Sequence, residues 1–292
     1  MNILTFDLEE WYLQKYLWGN NSQKYTEYNN CLEYILDLLD QMHYKGTFFC
    51  VGMMGKEFPE VVRRIAERGH EIGCHSHKHG WLNKMSKDEA QEDTRVAIDV
   101  LEQCIGKKIK SYRAPAFSIG EENKWAFEVL AECGIERDAS IFPASRELGG
   151  FPQFKEHVPS IVKYQGLGIK EFPIPITKVF GKEIAFSGGG FFRLLPLWFV
   201  KSRMKRSDYN MCYFHIDDLI TTLFPLYTPE LYEYYFKEPG TRINRYKRYV
   251  KKNVGKAWAM KHLEELLSFI SFCNIEEADN MVNWDQVPMV SL

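Results

Sequence analysis

The sequence predicts an α/β fold with a parallel sheet and helices packed outside it, in the manner of a barrel. Between residues 3 and 140, short apolar segments alternate with longer segments of helical spacing. Each apolar segment ends on a polar or charged residue, which is typical of barrels that collect functional groups at the carboxyl ends of their strands. The length of 292 residues fits one large domain or two small ones.

The predicted elements follow one another with short connections. Strands are expected over residues 3–6, 47–51, 70–74, 108–112, just before 138, 170–176 and 211–214. Helices are expected over residues 31–42, 58–68, 86–104, 121–133 and 195–205, the third opening with a capping box at Ser86 and Glu89. Residues 141–168 are expected to form long surface loops. The chain is interpreted as one barrel domain over 1–292, with a helical extension from about residue 225.

Composition limits the classes of partner. The net charge of −2 gives no reason to expect a polyanion, so no nucleic-acid partner is predicted. No apolar run reaches membrane-spanning length, and residues 1–6 lack the pattern of a signal peptide. Seven cysteines without regular spacing do not resemble a disulfide framework. These features together predict a reduced, cytoplasmic protein, and they leave its oligomeric state open.

A histidine-rich segment follows the strand predicted over residues 70–74. It contains His75 and His79, four residues apart, a spacing that places two imidazoles on one face of a helical turn. Imidazole is the commonest nitrogen ligand for divalent transition metals. Because ligands gather at the carboxyl ends of strands in α/β folds, these two histidines are predicted to bind a metal rather than to be ordinary loop residues.

Other chemistry-bearing residues also lie at predicted strand ends. The first strand runs into Asp7-Leu8-Glu9-Glu10-Trp11, the fourth into Arg113-Ala114-Pro115-Ala116-Phe117, the next into Asp138-Ala139-Ser140, and a late one into His215. Carboxylates at a strand end are costly to bury without a counter-charge.

These motifs, in this order, resemble the polysaccharide deacetylase family, also called the NodB-homology family or carbohydrate esterase family 4. The opening D-x-E-[DE]-W is most similar to the branch associated with exopolysaccharide synthesis. The resemblance covers about residues 1–220. It implies a distorted (β/α)7 TIM-like barrel and metal-dependent hydrolysis of an N-acetyl group on an amino sugar of a polysaccharide or its precursor.

The resemblance also implies roles for individual residues. Asp7 is expected to be the general base, His215 the general acid, Asp138 the partner of His215, and Arg113 the residue that orients the base. His75 and His79 are expected to hold one divalent metal, with zinc favoured and cobalt, nickel or manganese as alternatives. A divalent cation polarises a carbonyl and acidifies water, which suits amide hydrolysis.

The chain departs from the family pattern at one position. The usual second aspartate of the first motif, a metal ligand, is replaced by Leu8. Because side chains alternate along a strand, Glu9 lies on the same side as Asp7 and is predicted to be the third ligand. Glu10, just beyond the strand, remains an alternative.

The sequence also predicts which residues contact the substrate. Substrate is expected to contact Pro115, Phe117, Gly189, Gly190 and Arg193, with the glycine run forming a tight loop. The basic stretch 242–256 is interpreted as a solvated surface whose apolar residues pack inward.

The favoured function is a sugar N-deacetylase. The alternatives are an amidase for a small C–N substrate and a catalytically impaired carbohydrate-binding homologue, which Leu8 favours.

Overall fold

The computed structural model describes residues 1–179 and 181–292. Its strands are β1 Asn2–Leu8, β2 Thr47–Cys50, β3 Glu71–Cys74, β4 Ser111–Tyr112, β5 Arg137–Asp138, β6 Ser160–Tyr164, β7 Leu167–Glu171, β8 Ile176–Val179, β9 Lys182–Ala185, β10 Asn210–His215 and β11 Met289–Ser291. Among the described residues, nine strands form one sheet in the order β10-β1-β2-β3-β4-β5-β7-β6-β11, and β8 and β9 form a separate hairpin. The seven neighbouring strands from β10 to β7 run parallel. The predicted α/β fold with a mainly parallel sheet is confirmed.

Helices connect and cover these strands. They are α1 Glu10–Trp18, α2 Ser22–Gln41, α3 Gly52–Glu57, α4 Pro59–Glu67, α5 Lys87–Ile105, α6 Ala126–Glu132, α7 Gly189–Leu194, α8 Leu197–Lys205, α9 Ile216–Leu219, α10 Pro229–Phe236, α11 Arg242–Asn253, α12 Lys256–Leu267 and α13 Ile275–Met281. The predicted capping box at the start of α5 is confirmed, with Ser86 and Glu89 bonding each other's backbone amides. Within the described residues, no helix is long and apolar enough to cross a membrane.

Three segments differ from the sequence prediction or add to it. The acidic residues after β1 open helix α1, which buries Trp11 and Tyr12 against the core. The segment predicted as loops, 141–168, contains β6 and the start of β7, which form an antiparallel hairpin. The strand predicted over 170–176 ends at Glu171, because Pro173 and Pro175 cannot donate the backbone hydrogen bonds that a central strand requires.

The core surrounds strand β1, which lies between β10 and β2. Ile3, Leu4, Phe6 and Leu8 are completely buried, although they point to opposite faces of the strand. This burial on both faces is typical of parallel strands covered by helices. Leu8 therefore has a packing role, and its side chain belongs to the hydrophobic core rather than to the polar cavity.

Parallel register brings the strand ends together. Asp7 pairs with His215 between β1 and β10, and Tyr112 pairs with Cys74 and Asp138 in the sheet. The residues that follow these strand ends, including His75 and Arg113, consequently lie at one edge of the sheet.

The basic segment near the carboxyl terminus was predicted with its apolar residues inward, and this is wrong. In α11 the apolar side chains Ile243, Tyr246 and Val250 are exposed to solvent. The reason is that the opposite face of the helix, with Arg248 and Lys252, is turned toward the protein and lines a cavity. By contrast, α12 packs into the core through Leu263, Leu266 and Leu267.

Gly73 in β3 tests whether close packing within the sheet supports the residues at the carboxyl ends of the strands. A Cβ atom built on Gly73 lies 2.5 Å from Phe49 Cδ1, and the Phe49 ring packs 4.3 Å from the Arg113 guanidinium carbon. We expect Gly73→Ala to lower the free energy of unfolding by about 1–3 kcal/mol, the usual cost of overpacking a core. Urea denaturation followed by circular dichroism measures this loss.

The matched control for this prediction is Gly168→Ala in β7. The nearest atom to a Cβ on Gly168 is 3.7 Å away, an ordinary van der Waals contact. We therefore expect the control to stay within about 0.5 kcal/mol of the parent. Equal unfolding midpoints for the two variants would show that Phe49 has room to move and that the close packing is not limiting.

Candidate active site and metal centre

Glu9, His75 and His79 form a compact group of potential metal ligands. Their ligand atoms all lie within 4.8 Å of one another, and Glu9 Oε2 is 2.5 Å from His79 Nε2 and 3.7 Å from His75 Nε2. All three side chains have very little exposure to solvent. Glu9 Oε2 is buried and has no hydrogen-bond partner among the described residues. A buried carboxylate oxygen without a donor, facing two imidazole nitrogens, fits a divalent cation.

The outer nitrogens of both histidines are held by neighbouring groups. His75 Nδ1 is 2.7 Å from the carbonyl oxygen of Arg113, and His79 Nδ1 is 3.1 Å from the hydroxyl of Tyr235. The carbonyl oxygen can only accept a hydrogen bond, so Nδ1–H donates to it, and in this tautomer Nε2 keeps its lone pair toward Glu9. Such outer contacts are usual for metal-binding histidines.

The two histidines meet through a loop rather than through the helical turn that their spacing suggests. Residues 75–80 follow β3 in irregular conformation, and Ser76 and His79 have φ angles of 61° and 58°. Non-glycine residues rarely occupy this left-handed region, and its strain is commonly found at functional sites.

Asp7 is held by Arg113 at the base of the site. The Arg113 guanidinium is fully buried and donates from Nη1 to Asp7 Oδ1 at 2.8 Å and to Thr5 Oγ1 at 2.7 Å. Its Nε donates to the carbonyl of Ala139 at 3.1 Å. The structure thus brings Asp7 and Arg113 together, in the arrangement that the family resemblance implies for these two residues.

Asp218 is the partner of His215, whereas the sequence analysis assigned that role to Asp138. Asp218 Oδ2 is 3.1 Å from His215 Nδ1 and also accepts from the His215 backbone amide. Burial by itself lowers the pKa of His215, but Glu9 and Asp218 outweigh burial and raise the pKa to about 10. Asp218 lies one helical turn along the chain, which explains its reach.

Asp138 is buried elsewhere, next to a second carboxyl group. Its Oδ1 accepts from Ser140 Oγ at 2.5 Å, and Ser140 Oγ accepts from the backbone amide of Ala114. Burial raises the pKa of Asp138 to about 6 and, together with Asp138, raises that of Glu171 well above its usual range. The side chain of Asp138 therefore supports the loop that carries Arg113 instead of contacting His215.

Glu10 has a different environment from Glu9. Its Oε1 accepts from the backbone amide of Asp217 at 2.9 Å, and its Oε2 accepts from the amide of Glu9 at 3.2 Å. Burial is the largest of the effects that raise the pKa of Glu10 to about 7. Glu10 thus caps backbone groups at the start of α1 and α9, and Glu9 is the carboxylate that faces the histidines.

These residues open into a cavity of about 580 Å3. Its walls include the aromatic side chains of Trp18, Trp81, Phe117, Phe142, Phe191, Phe224, Tyr227, Tyr235 and Phe236. Of the predicted substrate contacts, Phe117, Gly189, Gly190 and Arg193 line the cavity. Pro115 does not contribute to the wall, because it is buried inside the turn Pro115–Phe117 while Ala114, Ala116 and Phe117 face the cavity.

Arg193 was predicted to bind substrate, but its guanidinium is already engaged. Its Nη1 and Nη2 donate to the carbonyl oxygens of Lys251, Lys252 and Val254 at 2.7–3.0 Å. Its Nε lies 3.1 Å from Asp218 Oδ1 as an ion pair. Arg193 therefore caps the carboxyl end of α11 and neutralises the partner of His215.

Sequence reasoning missed Asp218, Tyr235 and the aromatic wall. The spacing His215-x-x-Asp218 could have identified Asp218, since a side chain three residues on reaches back to a helix start. Tyr235 and much of the wall come from segments after residue 220, where aromatic residues gave no periodic signal that links them to the strand ends.

Comparison with known proteins identifies related sequences and a related fold. The family profile described as Polysaccharide deacetylase matches residues 3–137, and a second profile, described as Domain of unknown function (DUF3473), matches residues 139–280. Residues 3–137 therefore belong to the polysaccharide deacetylase family. A solved structure from Mycobacterium smegmatis, whose own assignment as a polysaccharide deacetylase is provisional, has a TM-score of 0.64 at 19% identity and covers 100% of this chain and 92% of that chain. At that identity the likeness shows the fold alone.

Curated relatives of this chain match over shorter stretches. A peptidoglycan-N-acetylglucosamine deacetylase of Bacillus cereus is 39% identical over 95 residues, which are 32% of this chain and 34% of that protein. The peptidoglycan-N-acetylmuramic acid deacetylase PdaA of Bacillus subtilis is 30% identical over 111 residues, 36% of this chain and 42% of that protein. The chain thus spans less than half the length of these two relatives.

Exchange of the neighbouring glutamates tests which carboxylate binds a cation. We expect Glu9→Gln to weaken Zn2+ binding by at least about 10- to 100-fold, the loss seen even for outer contacts of metal ligands. Glu10→Gln is the matched control and should bind Zn2+ like the parent, because its side chain contacts backbone amides. Isothermal titration calorimetry measures both affinities. Weakened binding in the control but not in Glu9→Gln would assign the ligand to Glu10.

Proposed function

We propose that this protein hydrolyses the N-acetyl group of an amino sugar in a polysaccharide or its precursor, with the help of one divalent cation. The observation that carries the proposal is the convergence of the buried Glu9 carboxylate with the Nε2 atoms of His75 and His79 beside Asp7 and His215. Two histidines and one carboxylate with open coordination positions are typical of a catalytic metal site. Zinc is the favoured cation, since it accepts mixed nitrogen and oxygen ligands.

The proposed division of labour follows from the contacts of each side chain. When bound, the cation supplies the Lewis acidity that polarises the acetyl carbonyl and acidifies water. Asp7 lines the cavity and accepts the proton of the attacking water, while Arg113 fixes its carboxylate. His215 donates a proton to the departing amine, and Asp218 orients its ring through Nδ1.

The cavity supports a sugar substrate. Its walls present aromatic faces from Trp18, Trp81 and Tyr227, against which the apolar face of a sugar ring can pack. Tyr235 and Glu147 add polar residues to the same walls. A volume of about 580 Å3 lies within the range of small-molecule sites, which suits one or two sugar rings of a longer chain.

The base assignment is tested with an N-acetylated oligosaccharide and an assay of released acetate. We expect Asp7→Asn to lower turnover by about two to four orders of magnitude, the usual contribution of a positioned base, while Zn2+ binding persists. Asp37→Asn is the control and should leave turnover unchanged. Asp37 lies on α2, is exposed and forms an ion pair with Arg68. Chelation should abolish acetate release in the parent, and added Zn2+ should restore it.

Other outcomes of this assay separate the remaining functions. Hydrolysis of a small amide but of no N-acetylated glycan would replace the proposal with an amidase. Binding of the glycan without acetate release, with the cation present, would identify a carbohydrate-binding protein.

Substitution of Asp218 or Asp138 tests which of these residues is the partner of His215, the proposed acid. We expect Asp218→Asn to lower turnover by about tenfold or more, as part of the contribution of a positioned acid, with little change in KM. The reason is that Asp218 contacts His215, whereas Asp138 contacts Ser140. Asp138→Asn should keep turnover nearer to that of the parent, and steady-state kinetics of both variants provide the comparison. A larger loss in Asp138→Asn at equal thermal stability would contradict the assignment.

A further inference from the structure

Helix α11 exposes the face that a surface helix normally buries. All twelve of its side chains lie in the described part of the chain, and none is buried. Ile243, Tyr246 and Val250 are 66%, 54% and 44% exposed, and Val254, just beyond the helix, is 37% exposed. Spacings of three and four residues place these four side chains on one face. An exposed apolar stripe of this kind marks an interaction surface.

The opposite face of α11 is cationic and turned inward. Arg248 and Lys252 line the cavity, and Arg245 donates to the carbonyl oxygens of Gly240 and Tyr227. The helix is therefore fixed in this orientation by polar contacts on its inner side. The outward position of the apolar stripe follows from this anchoring.

Further cations flank the apolar stripe. The segment 242–253 contains six lysines and arginines and no acidic residue. Arg242 and Lys247 border the stripe on the two sides, and Lys251 extends the border while it pairs with Glu147. In residues 1–179 and 181–292, the ion pairs of this helix involve Arg248 and Lys251, so Arg242 and Lys247 are available to an external anion.

We propose that the outer face of α11, formed by Arg242, Ile243, Tyr246, Lys247, Val250 and Val254, docks onto an anionic lipid surface. An apolar stripe between cations is the pattern of helices that lie in the headgroup region of a membrane. The apolar side chains enter the boundary between headgroups and acyl chains, and the cations meet anionic headgroups.

A second copy of the chain fits this face less well than a lipid surface does. In a twofold dimer the same patch would oppose itself, and the flanking cations would face one another. In addition, a twelve-residue helix is about 18 Å long, so one face covers far less than the roughly 800 Å2 per partner of a stable interface.

The docking face borders the mouth of the cavity. Lys251 belongs both to the outer surface of α11 and to the cavity wall. The exposed cavity residues Phe191 and Leu194 flank Arg193, whose guanidinium binds the last carbonyls of α11. Docking through this face therefore places one rim of the cavity beside the lipid surface.

Vesicle co-sedimentation of the full chain tests the proposal. The probes are vesicles of phosphatidylcholine alone and of an equal mixture of phosphatidylcholine and phosphatidylglycerol. We expect binding to the mixed vesicles and little to phosphatidylcholine alone. The double variant Ile243→Ser with Val250→Ser should lose at least about tenfold in partitioning, because it removes apolar burial. The double variant Arg242→Gln with Lys247→Gln should lose about fivefold per charge.

The control is Met281→Ser with Met289→Ser, which makes the same kind of change at two exposed apolar positions outside α11. It should bind vesicles like the parent. Since all substituted side chains are exposed, circular dichroism should show an unchanged fold in every variant. Equal binding by the serine variant and the parent, or no binding by the parent, would overturn the proposal.

Two further measurements would identify a different partner for the outer face of α11. A parent dimer in light scattering that becomes a monomer on Ile243→Ser with Val250→Ser would assign the face to self-association. Binding to a DNA duplex that depends on Arg242 and Lys247 but not on Ile243 and Val250, without vesicle binding, would assign it to a polyanion. Either result would replace the lipid surface as the partner.

Discussion

The site depends first on the buried guanidinium of Arg113. It holds the Asp7 carboxylate through Nη1 and the Ala139 carbonyl through Nε, while its own carbonyl oxygen is 2.7 Å from His75 Nδ1. One residue at the end of β4 thereby orients the proposed base on β1 and a proposed metal ligand after β3. Removing one partner of such a buried pair typically costs about 3–5 kcal/mol, because the other charge is left without compensation.

A second set of contacts supports His215 on the other side of the site. His215 is held by Asp218, Asp218 is neutralised by Arg193, and Arg193 caps the carboxyl end of α11. Burial opposes ionisation of Asp218, but His215 and Arg193 outweigh it and keep the pKa of Asp218 well below its usual range. The proposed acid is consequently supported by a segment that follows the parallel strands, which explains why residues beyond 220 contribute to the cavity wall.

The strand-end residues were predictable from the sequence because parallel strands bring their carboxyl ends to one edge. Asp7, Arg113 and His215 each follow an apolar segment, and register alone places them together. The pairing of His215 was not predictable in the same way. Asp138 and Asp218 are both near strand ends in the sequence, and only the packing of Asp138 against Ser140 and the turn of α9 decide between them.

The orientation of α11 shows a further limit of periodicity. Spacing identifies which side chains share a face, but it does not specify which face is turned toward the protein. Here electrostatic attraction determines which face of α11 is turned inward, because the cavity contains Glu9, Asp217 and Asp218. Burial disfavours the charged form of Lys252, yet Tyr227, Asp217 and Glu9 raise its pKa above the usual value. The acidic site thus retains the cationic face of the helix, and the apolar face is left on the surface.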